Sequence, residues 1–154
     1  MIDELLRSFL ASDSQLTALA SEIAVGEVPA DADGEPLVGT YIWFSFYDEE
    51  DELDLDGNTG LTHYRVDLEA CSTSTPVAKR LAYLVKKKLQ AHSGAFGSIT
   101  VDDVETPGTV QAVYVESKDD DYQSVNAYTF ASITAIAMEV TIHADDALDA
   151  LQGD

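Results

Sequence analysis

Ile2, Leu5, Leu6, Phe9 and Leu10 recur at the i, i+3, i+4, i+7, i+8 spacing of one helix face, which predicts an amphipathic helix over residues 1–11. Ser12 followed by Gln15 reads as a capping box that opens a second, short helix carrying Leu16 and Leu19. An extended piece follows around residues 23–28. Pro29, Gly34 and Pro36, with Asp31, Asp33 and Glu35, then make a polar loop. Residues 38–47 concentrate Tyr41, Trp43, Phe44, Phe46 and Tyr47, and predict a strand covered on both faces or by a partner. Beyond the turn signal Asp56-Gly57-Asn58-Thr59-Gly60, Tyr64, Val66, Leu68 and Ala70 alternate with His63, Arg65, Asp67 and Glu69. That period of two is a strand with one apolar and one wet face, and the two strands form a long hairpin with an acidic tip.

Thr75 as N-cap and Pro76 at the first helical position open the main helix. Val77, Leu81, Leu84, Val85 and Leu89 fall on one side of it, and Lys79, Arg80, Tyr83, Lys86 and Lys87 on the other. Lys88 lies near the apolar stripe and must snorkel, while Gly94 reads as the helix stop. Three strands are expected after it, over 98–104, 110–116 and 127–143. The predicted order is α-α-β-β-α-β-β-β. The fold class is α+β, a largely antiparallel sheet with helices packed on one face. Residues 1–143 read as a single domain and residues 144–154 as an acidic tail.

Charge changes the picture most. The 154 residues hold 29 Asp and Glu against 8 Lys and Arg, for a net charge of −21. Such a surface excludes general binding to nucleic acid or to anionic lipid, because either needs cations facing the phosphates. Charge-free stretches are too polar to span a bilayer, and Asp3 and Glu4 stand where a secretory leader would be basic. Asp48, Glu49, Glu50, Asp51, Glu52, Asp54 and Asp56 crowd one short loop. Five of the eight cations crowd residues 79–88, with no acid among them. Two compatible readings fit the excess: work in strong brine, where a Debye length of ~3 Å at 1 M salt suppresses self-repulsion, which is the expectation taken here, and an acidic surface that keeps DNA and other acidic partners from sticking.

Catalytic signatures are missing from the sequence: no nucleophile elbow, no phosphate-cradling glycine loop, no paired metal-binding cysteines or histidines. His63, His92 and His143 sit on or beside different elements, and Cys71 has no His near it in sequence. No enzyme and no cofactor is expected. Glu52-x-Asp54-x-Asp56-Gly57 has alternate oxygen ligands and a glycine in sixth place, as in a helix-loop-helix calcium site. The closing glutamate position is His63, and strands flank the loop, so a solvated acidic tip is the plainer reading and a calcium-dependent binding module the alternative. The cations of the main helix have two readings as well. They complement the helix dipole, or they offer a stripe that fits an acidic surface of an identical neighbour, a head-to-tail contact that closes into a ring or runs into a filament.

The succession of these pieces resembles the tail completion, or tail terminator, proteins of long-tailed bacterial and archaeal viruses and of gene transfer agents. The similarity lies in the N-terminal helix leading to Asp13-x-x-Leu16-x-x-Leu19, and in the aromatic strand Thr40-Tyr41-Ile42-Trp43-Phe44-Ser45-Phe46. It continues through the Leu55-Asp56-Gly57-Asn58-Thr59-Gly60-Leu61 step, the strand Tyr64-Arg65-Val66-Asp67-Leu68-Glu69-Ala70-Cys71, the helix over 76–90 and the paired strands after it. The resemblance implies a structural virion protein without catalytic residues: a hexameric ring at the tail-neck junction that caps the tail tube, meets the head-side connector and lets DNA through. Lys79, Arg80, Tyr83, Lys86 and Lys87 are then expected at the subunit interface. The acidic loop 48–56 would face the lumen, the tube or a neighbour. Another neck component, a head-closure or adaptor protein, is the nearest alternative.

Overall fold

The protein is seen here as a computed structural model that describes residues 2–30, 32, 34–35, 37–54, 57–117, 122–125 and 132–145, with backbone alone for 51–54, 57–61, 122–125 and 145. Helices α1 (Ile2–Ala11) and α2 (Ser14–Leu19) precede strands β1 (Glu22–Val25), β2 (Thr40–Asp54) and β3 (Gly57–Ser72). Helix α3 (Thr75–Leu89) follows, then β4 (Gly94–Val101), β5 (Val104–Val110), β6 (Ala112–Ser117), β7 (Tyr122–Val125) and β8 (Ser132–Asp145). The fold is α+β, and the expected succession of helices and strands holds, with β1 added before the hairpin and β5 and β7 added after α3.

β2 and β3 form the expected hairpin, paired from Thr40↔Ser72 to Asp54↔Gly57. The other edge of β3 pairs antiparallel with β8, from Leu61↔Asp145 to Ser72↔Thr134. β1 joins β2 in parallel over Tyr41–Phe44. β6 and β7 share the outer edge of β8, at Met138–His143 and Ser132–Ala135 respectively. The main sheet therefore runs β1-β2-β3-β8-β6, with β7 beside β8. The backbone groups of β6 that face away from β8 are not left to a stray strand. Gln90 Oε1 accepts from the Val115 N–H at 2.6 Å, and the Ala91 N–H donates to Val113 O at 2.9 Å.

Alternation sends Ile42, Phe44, Val66, Leu68, Val140 and Ile142 to one face of the sheet, where they are buried against α3 and α1. Leu81, Leu84, Val85 and Leu89 come from α3, and Leu5, Leu6 and Leu10 from α1. Each such side chain contributes about 1.5–3 kcal/mol by leaving water. β4 and β5 make a separate two-stranded ribbon that grips α1 from outside. Phe96 is buried there with its ring 4.7 Å from that of Phe9, and the Ser98 N–H donates to Ser8 Oγ.

Several local expectations are corrected. Ser12 does not cap α2; its hydroxyl donates to Phe9 O and closes α1, while Asp13 accepts from the Gln15 and Leu16 N–H groups. A carboxylate in the cap position suits the positive helix end better than the hydroxyl before it. The N-cap of α3 is Ser74 rather than Thr75, whose hydroxyl is hydrogen-bonded to that of Thr134. The helix ends at Gln90 with Ala91 at φ 58°, and Gly94 begins β4. The strand expected over 98–104 contains a turn: Asp102 and Asp103 both take positive φ and join β4 to β5, a two-residue turn of the primed kind that matches strand twist. The piece expected over 110–116 changes sheets at Gln111, between β5 and β6. β8 runs on to Asp145, and Ala144 is buried opposite Thr62. Residues 127–131 and 146–154 of the expected last strand and tail lie outside the described residues.

Candidate functional site

The stripe on α3 is displayed as its spacing predicts. With Ala78, Leu81, Ala82, Leu84, Val85 and Leu89 buried, the positions at 79, 80, 83, 86 and 87 are left on the outer side. Lys79, Arg80, Lys86 and Lys87 are exposed, and Tyr83 is 60% exposed among them. Among the described residues, none of these five makes an ion pair or a side-chain hydrogen bond. Lys88 departs from the stripe: its Nζ sits 4.4 Å from the centre of the Phe9 ring, the snorkelling its position required.

The opposite side of the molecule is the face of the sheet that no described helix covers. Trp43, Arg65, Asp67, Glu69, Glu139, His143, Tyr114 and Glu116 occupy the alternate positions that α3 does not cover. Asp67, Glu139 and Glu116 stand side by side in one cross-strand row, on β3, β8 and β6. Like charges directly opposite one another destabilise a sheet. The row next to it holds Asp48, Arg65, Thr141 and Tyr114, with Arg65 Nη1 3.0 Å from Asp48 Oδ2 and Nη2 3.9 Å from Glu50 Oε2. In the row beyond, the rings of His63 and His143 lie 4.0 Å apart, and Tyr114 meets His143 edge-on at 5.3 Å.

Tyr47 lies on this face by alternation with Trp43 and Ser45, and a β-bulge brings Asp48 to it as well. The β2–β3 pairing slips between Phe46 and Asp48, so Tyr47 and Asp48 together oppose Arg65. The Tyr47 hydroxyl donates to Glu139 Oε1 at 2.8 Å. Desolvation, then that bond and the charge of Glu139, push the phenol up to about 12. Trp43 Nε1 donates to Glu69 Oε2 at 2.8 Å. At the far end of the face Tyr41, Cys71, Ile133 and Ala135 form a small apolar cluster under Leu37 and Trp43.

Burial, reinforced by Glu69, raises the Cys71 thiol to about 12, with the Tyr41 hydroxyl bonded to it and itself pushed above its ordinary range. The folded state therefore holds protons that the unfolded chain releases, from about pH 9 for the thiol. Stability from Cys71 is complete below pH 9 and is lost as pH rises toward 12. The midpoint of urea unfolding should fall steadily between pH 9 and 12, and Cys71→Ala should flatten that slope. A thiol reagent at pH 8 should modify Cys71 only at the rate of unfolding.

The acidic run lies on β2 and its turn. Asp48 and Glu50 face Arg65, and Glu49 is exposed. For Asp51, Glu52 and Asp54 the backbone is strand, and Asp56 lies outside the described residues. Leu53↔Asn58 and Asp54↔Gly57 close a tight hairpin here, where a helix-flanked calcium loop would need an open twelve-residue coil. Among the described residues, no three His, Cys, Asp or Glu side chains converge as a metal site. No described helix is long and apolar enough to cross a membrane.

Sequence reading placed the stripe but not the acid-aromatic face. The wet positions of β3 were legible as a set. Glu139 and Glu116 join them only through the β3–β8 and β8–β6 registers, which alternation within a strand cannot supply. Asp48 joins them only through the bulge, which alternation along β2 does not foretell.

No protein-family model matches the chain, and no curated protein matches it in sequence. Among solved structures it is similar to a chain of the virion of a native gene transfer agent (GTA) particle. The TM-score is 0.49 and the identity 18%, over 90% of this chain and 91% of that one.

Proposed function

We propose that this protein is a non-catalytic structural component of a virion, a tail terminator that assembles as a ring on the end of the tail tube. The observation that carries the reading is the order of elements along the chain. The two N-terminal helices, the aromatic strand, the glycine-marked step into the central strand, the helix and the closing strands follow one another as the resemblance to tail completion proteins requires. The separation of charge supports it. A subunit with one basic side and an otherwise acidic surface can join head to tail, and such contacts close into rings when the rotation allows.

In this reading the partners are copies of the chain, the tail tube protein and the head-side connector. DNA passes through without being held, since each phosphate meets carboxylates and releases no counterions. Light scattering followed by negative-stain imaging tests the assembly. Six chains of 16.6 kDa give a ring of about 100 kDa with six-fold views. A strict monomer at every salt and concentration would remove the self-assembling ring and leave a neck role that depends on a partner.

A further inference from the structure

We infer that the acid-aromatic face of the sheet, which no described helix covers, is the surface on which the α3 stripe of a second copy of this chain docks. The inference rests on the self-assembling reading above and adds the two faces that meet. The stripe is the one concentration of cations in the sequence, so a contact between copies driven by charge must use it on one side. The hairpin tip offers acids too, but on a narrow two-stranded ribbon. The sheet face offers acids together with Trp43, Tyr47 and Tyr114, the last two 49% and 53% exposed. Tyrosine, tryptophan and arginine are the residues that interfaces favour.

Dimensions agree as well. Lys79 and Lys86 are separated by about 10 Å along the helix, at 1.5 Å per residue. Asp67, Glu139 and Glu116 cover two inter-strand gaps, also about 10 Å. A neighbour's α3 laid along that row would set cations at both ends and Tyr83 between them, against the tyrosines. The row of like charges, unfavourable in an isolated subunit, would become the attractive half of the contact. Each sheet would then lie between its own α3 and a neighbour's. The stripe and the face are on opposite sides of one subunit, so the contact is heterologous by construction.

Charge reversal in a mixing experiment tests this, at about 0.15 M salt, where a Debye length of ~8 Å screens net repulsion between subunits but little at contact. K86E/K87E alters only the stripe and E116K/E139K only the face. Wild type should assemble, and each variant alone should be monomeric with wild-type circular dichroism. The equimolar mixture should regain assemblies of even subunit number, because alternating subunits restore opposite charges at every contact. If the E139K change disturbs folding through loss of the Tyr47 bond, Glu116→Lys alone should still weaken association at least tenfold. Wild-type assembly by E116K/E139K or E116K, or a mixture that stays monomeric, overturns the pairing of these faces and leaves the ring reading standing on another surface. A monomeric wild type overturns the second copy as partner and the self-assembling ring together, and leaves the neck role.

Discussion

Gly97→Ala is expected to cost more than about 3 kcal/mol, one of the largest losses any single substitution in this chain should produce. Gly97 sits where β4 crosses α1, at φ 67°. A Cβ there would lie 2.4 Å from Leu5 O, 2.9 Å from Phe9 N and 3.1 Å from Ser8 Cβ. Two of those three atoms belong to the backbone of a helix and cannot swing aside. Relief would require lifting α1, and with it Leu5, Leu6 and Leu10, which are fully buried. The left-handed conformation adds about 1–2 kcal/mol for a residue with a Cβ. Gly94→Ala is the control: it has φ 96° but nothing within 4 Å of the added carbon, so it should show the backbone cost alone. Equal losses in the two variants, measured by urea unfolding, would mean that the close approach of β4 to α1 contributes nothing.

Salt should have an effect of comparable size and opposite sign. A net charge of −21 on 154 residues opposes compaction, and the row Asp67–Glu139–Glu116 concentrates that repulsion within the sheet. Between about 0.05 and 3 M salt the Debye length shrinks from above 10 Å to below 3 Å, and the repulsion fades with it. We expect Tm to rise on the order of 10 °C, the equivalent of a few kcal/mol for a domain of this size. Glu116→Gln should raise Tm at low salt and lose that advantage at high salt. A Tm indifferent to salt would argue that the acids are well compensated where they stand, and against adaptation to brine.

How far the sequence could be read follows from where its information is local. The helix spacing of Leu5, Leu6 and Leu10 and the alternation of Tyr64, Val66, Leu68 and Ala70 carry their own periods, and both elements appear where expected. Terminal details were harder because near-equivalent neighbours compete: Asp13 outdoes Ser12 as a cap, and Ala91 rather than Gly94 turns the chain out of α3. Val101-Asp102-Asp103-Val104 reads as continuing strand because its turn lacks glycine. The basic stripe was legible since all its members sit on one helix. The acid-aromatic face was not, because its residues come from four strands and meet only through pairing.

The position of β3 sets an order in time. Its partner on one side, β2, is adjacent in the chain, but its partner on the other, β8, is pinned by Leu61↔Asp145 and Ser72↔Thr134 across a stretch that holds α3 and four further strands. A ribosome adding roughly 5–20 residues per second needs several seconds to supply β8 after β3 has emerged. Through that interval the central strand presents an edge that another nascent chain could extend. The outward side chains along that stretch include Asp67 and Glu69, and the hairpin beside it carries the acidic run. The same carboxylates that burden the finished sheet would hold unfinished neighbours on a polysome apart until the last strand arrives.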